Sequence, residues 1–232
     1  MIYVMQKIKH VWYFLPLLVL TLVRVERIDA QCNLIVNGDF ESYTSCPTAM
    51  SQINYATGWD NANAATVVYP TADYYNCALA PILGTPGTPP SGTGFVGFNV
   101  AGDGGNPNGG AEMIGTCVNL VAGNTYTFSF SSKEQLSFGA GSQSMYLMGT
   151  PGGTFPVAST NYCPNVATTL LTIPKAQVNN TNWTFRSYTF VSPGNFGGII
   201  IGGVCGSTDN YLIFMDDVSL TSSVATSYGS IA

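Results

Sequence analysis

Two adjacent carboxylates, Asp216 and Asp217, close the apolar run YLIFMDDVSL at 211 to 220, and a third, Glu41, closes NLIVNGDFES at 33 to 42. On an extended chain the side chains alternate faces. Phe214, Asp216, Val218 and Leu220 are therefore expected on one side and Met215, Asp217 and Ser219 on the other, which puts one carboxylate on the core side. A buried carboxylate is costly without a partner, and a second acid beside it adds repulsion unless a cation lies between them. Hard oxygen donors and no nearby histidine suit Ca²⁺ better than zinc. The same spacing also fits two solvated acids at a strand end, and both readings stand at this level.

Other chemistry is restricted by what the chain lacks. Its one histidine, His10, precedes the segment that folds, so Ser-His-Asp and Cys-His nucleophile systems and histidine-bound metals are not expected. Paired acids could hydrolyse glycosides. Asp60, Asp73, Asp103, Glu112, Glu134 and Asp209 occur in no recognisable catalytic setting, and no catalysis is expected. Sugar rings bind by stacking on aromatic faces with amide and carboxylate support. Trp59, Tyr74, Tyr75 and Tyr146 are the candidates for that role, with Tyr69, Phe95 and Tyr162 behind them and Asn76, Gln135 and Gln143 as polar partners. The competing role for these rings is core packing. Tyr74 and Tyr75 are adjacent, so an extended segment would send one inward and one outward. Asp103, in a Gly/Asn-rich loop, could address a second cation or simply make a turn.

The elements that position these residues begin after residue 30. Lys7 and Lys9 precede an apolar run from Val11 to Val23, which reads with its flank to Ala30 as a secretory signal peptide over 1–30. The run is short for a membrane span, so no membrane insertion is expected once it is removed. The chain after residue 30 carries three cations, Lys133, Lys175 and Arg186, against ten acids, a net charge of about −7. Such a chain cannot track phosphates, which excludes nucleic acid as a partner and disfavours anionic lipid. Six cysteines, none in a CxxC pair, point to disulfides in an oxidising compartment, and Cys46 with Cys77 is the first pairing expected. These features imply a secreted or cell-surface location.

Short punctuated strands are expected at Leu34–Val36, 95–100, 112–120, 125–131, 145–148, 168–173, 184–191, 198–204 and 211–220, with little helix. TYTFSFS at 125 to 131 alternates most cleanly, with Tyr126, Phe128 and Phe130 on one face. The segment from Tyr43 to Gly94 is irregular, and a loop that long is expected to be functional or crosslinked. The pattern is that of an all-β, two-sheet sandwich over 31–221, followed by a polar tail or linker start at 222–232.

NLIVNGDFES, the GW at 58 to 59, LVAGNTYTFSFS at 120 to 131, NWTFRSYTFVSPG at 182 to 194 and YLIFMDDVSL together resemble galactose-binding-like jelly-roll domains. The resemblance is especially to carbohydrate-binding modules of families four and nine and the related domains of bacterial surface proteins. The early CP, DYYNC and Gly/Pro-rich loop further resemble a variant found on secreted proteins of Bacteroidetes. The resemblance implies a jelly roll with structural Ca²⁺ near its joined ends, carried onto Glu41 and Asp216 with Asp217 as the fallback. It also places Trp59 where the family has a core aromatic. The expected function is a non-catalytic module that binds an extracellular glycan or surface protein. The alternative is a structural or adhesive module of a larger surface protein, and further domains of the same polypeptide could adjoin either one.

Overall fold

The computed structural model describes residues 34–63, 72–81, 84–101, 111–138, 143–155, 167–203 and 210–223. The expected signal segment 1–30, Cys32, Tyr69, Asp103, Tyr162, Cys163, Cys205, Asp209 and the tail from 224 lie outside these residues. Among the described residues there are ten strands: β1 Trp59–Asn61, β2 Asp73–Tyr75, β3 Phe95–Ala101, β4 Met113–Leu120, β5 Thr125–Phe138, β6 Met145–Thr150, β7 Thr168–Ile173, β8 Thr184–Val191, β9 Phe196–Gly202 and β10 Asn210–Ser223. The one α-helix described is the single turn α1, Lys175–Val178. No helix described is long and apolar enough to cross a membrane.

The strands form two five-stranded antiparallel sheets, ordered β1-β4-β9-β6-β7 and β2-β3-β10-β5-β8. Only the β2–β3 and β6–β7 connections stay within a sheet; the others cross from one sheet to the other, giving the expected jelly-roll sandwich. Its core follows from period-two patterning. Tyr126, Phe128 and Phe130 of β5 and Phe190 of β8 face Ile114, Leu147, Ile199 and Ile201 of the other sheet. Each such side chain contributes about 1.5–3 kcal/mol through burial.

The opening run departs from its expected form. Leu34–Val36 is a turn-rich arm, because Asn37 and Phe40 adopt left-handed backbone at φ 60° and 55° that breaks strand geometry. The arm still lies against the closing strand: Leu34 N–H donates to Leu220 O at 2.6 Å and Val218 N–H to Gly38 O at 2.8 Å. The two ends of the domain are therefore neighbours.

The alternation expected along β10 also needs correction. Asp216 pairs with Ser131 and Ser219 with Ser129, three steps on one strand against two on the other. This is a β-bulge, centred on Asp217 at φ 53°. It reverses the parity. Tyr211, Ile213 and Met215 face the main core before the bulge, and Val218 and Leu220 face it afterwards. Phe214 belongs instead to a second cluster with Tyr75 and Phe95, against which Leu79 and Trp183 pack. Asp216 shares that outer side of the sheet with Phe214.

The outer face is covered by the chain's own Gly/Pro-rich loop. Trp183 Nε1 donates to Pro86 O at 2.8 Å and Lys133 Nζ to Thr85 O at 2.6 Å. The base of this loop is tied by the Cys46–Cys77 disulfide, as expected. The bridge closes a segment of 31 residues. Cys46→Ala should therefore lower stability by about 3 kcal/mol, and urea denaturation of oxidised and reduced wild type beside the variant checks this. Equal midpoints for all three would rule it out. Among the described residues Cys117 is exposed and free, its thiol donating to Gly153 O.

Candidate functional site

Glu41 and Asp216 meet on one tetrapeptide, Ser91–Gly94. Glu41 Oε1 accepts N–H bonds from Thr93, at 2.6 Å, and from Gly94. Asp216 accepts the Ser91 N–H at 3.1 Å, the Ser91 hydroxyl at 3.0 Å and the Asp217 N–H at 2.7 Å. Gly92, between them at φ 45°, has no room for a side chain, since a Cβ would fall 2.3 Å from the Glu41 carboxyl carbon. Sequence reasoning linked the two acids but missed this segment. A Gly-Thr-Gly run carries no signal for an anion cradle until the fold brings it there.

Around this joint the backbone is strained. Phe40, Cys77, Ala78 and Asp217 all adopt positive φ without being glycine. The Phe40 carbonyl is aimed inward, accepting from the Tyr74 hydroxyl at 2.7 Å and from Asn76 Nδ2 at 3.3 Å. Asp216 is fully buried. Burial pushes its carboxyl up to about 7 against the downward pull of the Ser91 and Asp217 amides. The groups acting on it are amides, a hydroxyl and the neighbouring Asp217, none of them a cation. Asp217 itself lies elsewhere, lining with Asp39 and Gly38 a shallow cleft of about 330 Å³ to which Glu41 does not contribute. Among the described residues no three acid, cysteine or histidine side chains converge as a metal-holding group.

Three of the four aromatic candidates are interior. Trp59 is 2% exposed, donates its Nε1–H to Asn37 O at 2.9 Å and packs on Phe40 with ring centroids 5.0 Å apart. Tyr74 and Tyr75 are both 0% exposed. They do point to opposite faces, but the outward one, Tyr75, is sealed beneath the loop, stacked on Phe95 at 5.0 Å and donating to Asp73 Oδ2 at 3.0 Å. Burial pushes the Tyr74 phenol up to about 12 and raises that of Tyr75 as well. None of these three rings can offer a face to a sugar. Correcting that expectation needs only burial: a Gly/Pro-rich stretch reads as an open loop in sequence, yet it folds back as a cover.

Tyr146 differs. It is half-buried on the outer face of the β1-β4-β9-β6-β7 sheet, opposite Gly202 on β9 and Thr172 on β7, with Met113 one strand beyond Gly202. Farther along the same face, Gly115 and Gly198 lie under the half-buried ring of Phe155, and Met148 and the buried Ile200 stand between that ring and Tyr146. Asp60, opposite Gly115 on the edge strand β1, adds an exposed carboxylate that partial burial holds above its ordinary range. Phe155 follows Gly152 and Gly153 in a loop, and nothing in its spacing marked it.

No protein-family model and no curated protein sequence matches this chain. Among solved structures it is similar to a family 16 carbohydrate-binding module, at 18% identity over 81% of this chain and 99% of that one, with a TM-score of 0.43. It is also similar to the N-terminal cellulose-binding domain of Cellulomonas fimi β-1,4-glucanase C, at 14% identity over 78% and 99% of the two chains, with a TM-score of 0.42. A cleaved adhesin domain of Lys-gingipain from Porphyromonas gingivalis is similar at 17% identity over 72% and 91%, with a TM-score of 0.41.

Proposed function

We propose that this chain is a secreted or cell-surface, non-catalytic module that binds a neutral glycan along the outer face of the β1-β4-β9-β6-β7 sheet. The observation that carries this is Tyr146, the one candidate platform ring among the described residues that is not sealed in the interior, set between Gly202 and Thr172 with Phe155 farther along the same face. Ring faces gather sugar C–H surfaces, and the flanking Thr172 hydroxyl can bond a sugar hydroxyl. The Cys46–Cys77 bridge supports an oxidising location. A glycan array with wild type, Tyr146→Ala and Phe155→Ala tests the proposal. Each truncation should weaken binding at least tenfold, about 1.4 kcal/mol. Binding unaffected by both, or no signal on any sugar class, would overturn it. The second reading, a structural or adhesive module without a small-ligand site, is favoured by the burial of Trp59, Tyr74 and Tyr75. Under it the array stays blank.

Calcium at the joined ends belongs to the same proposal. Its support is two carboxylates brought to one tetrapeptide, one of them fully buried and without a countercharge; the Ser91, Thr93 and Gly94 amides that now hold them would have to give way to the ion. Glu41 and Asp216 would hold the ion, which would supply the positive charge that Asp216 lacks. In thermal melts, Ca²⁺ at about a hundred times its Kd should add about 2.7 kcal/mol. Glu41→Ala or Asp216→Asn should abolish that gain. Identical melting of wild type with and without chelator removes the site.

A further inference from the structure

We propose that the protein self-associates as a two-fold dimer through β8, which pairs antiparallel with its copy and joins two sheets edge to edge. β8 ends its sheet, and β5 is its only in-sheet neighbour among the described residues. A terminal strand presents a row of backbone donors and acceptors, which a second chain can complete. Edges of this kind are usually guarded by charge, by proline or by shortness. β8 has eight residues, no proline and one charge, Arg186. The Arg186 guanidinium folds along this edge, donating to Phe185 O at 3.1 Å and Asn180 Oδ1 at 3.4 Å, and it must release Phe185 O for a second strand to pair there.

The register is set by the side chains. Phe185 and Val191 are 61% and 60% exposed, among the most exposed large apolar residues described, and both stand on the outer face of this one strand. In an isologous antiparallel pair the numbers of opposed residues have a constant sum, and that sum must be even for outer faces to meet outer faces. Centring the two-fold on Tyr188 sets Phe185 against Val191 of the second copy, and Val191 against its Phe185. Both exposed apolar groups are then covered twice by one operation. Ser187 and Thr189 fall opposite each other between them, also exposed and uncharged. A protein with a net charge of about −7 after residue 30 can approach its own copy here, because no acid lies on this strand.

Sedimentation velocity of the purified protein across a wide concentration range tests the dimer. Wild type should shift from monomer to dimer as concentration rises. Phe185→Lys, at an exposed position that leaves the core intact, should stay monomeric with an unchanged melting temperature. Adding Val191→Glu to that variant should restore the dimer, because each lysine then faces a glutamate across the two-fold. Wild type that remains monomeric throughout overturns the proposal, as does dimerisation unaffected by Phe185→Lys. A double variant no better than the single one overturns the register. Glycan binding at Tyr146 lies on the other sheet, so failure here leaves that proposal to its own test.

Discussion

Gly38→Ala should destabilise the domain by about 3 kcal/mol or more, although the substitution adds only one methyl group to the opening arm. A Cβ on Gly38 would fall 1.7 Å from the Val218 carbonyl oxygen and 2.8 Å from the Val218 carbonyl carbon. Both are backbone atoms of the closing strand, so no side chain can rotate out of the way. Val218 also donates its N–H to Gly38 O at 2.8 Å, so relieving the clash breaks the bond that joins the two ends. The effect should spread along the joint. Moving the arm withdraws Phe40, whose carbonyl anchors the Tyr74 hydroxyl, and Glu41, whose carboxylate gathers the Thr93 and Gly94 amides. Denaturant titration gives the size of the loss, and hydrogen exchange at Thr93 and Gly94 shows whether it reaches the loop. A Gly38→Ala protein as stable as wild type would mean that the ends do not pack as described.

The sandwich was legible because its central strands obey one rule with few interruptions. Thr125–Ser131 and Thr184–Val191 alternate as half-buried strands must, and Tyr126, Phe128, Phe130 and Phe190 reach the core as their parity demands. The parity of β10 was not legible, because a bulge at Asp217 leaves no mark in composition and one inserted residue reverses every later side chain. The opening strand failed because left-handed backbone at Asn37 and Phe40 turns the chain where the apolar run reads as extended. The pairing of Cys46 with Cys77 could be named because an irregular segment needs a tie, whereas the burial of Tyr75 could not, because its cover is a loop with no apolar pattern. Of the aromatic residues, Trp59 behaved as its core resemblance implied. Tyr146 stands half-buried on the outer face, with Gly202 opposite it on one side and Thr172 on the other.

Stability should fall as pH rises from about 4.5 to about 8, and Glu112→Gln should remove its share of that fall, Asp216 and Asp73 contributing the rest. Glu112 is 6% exposed and takes the Asn99 N–H on Oε2 at 2.7 Å. Burial first, and then the charge of Asp73, push its carboxyl from the ordinary 4.5 up to about 8. Asp73, 4% exposed, is raised too, by burial, against the pull of the Ser51 amide and the Tyr75 hydroxyl. The sign follows from proton counting. Between the unfolded and folded pKa values the native state holds a proton that the unfolded chain has released, so raising pH favours unfolding. Below about 4.5 both states are protonated and above about 8 both are ionised, so Glu112 contributes no slope outside that window. A tenfold difference in acidity between the folded and unfolded carboxyl is worth about 1.4 kcal/mol, so a few kcal/mol are at stake across the window. Glutamine keeps the shape and an oxygen for the Asn99 N–H but cannot ionise. The variant should therefore match wild type near pH 4.5 and exceed it clearly at pH 8.5, as read from urea midpoints at a series of pH values. If the two proteins follow parallel curves over that whole range, Glu112 is not the group that titrates in the interior.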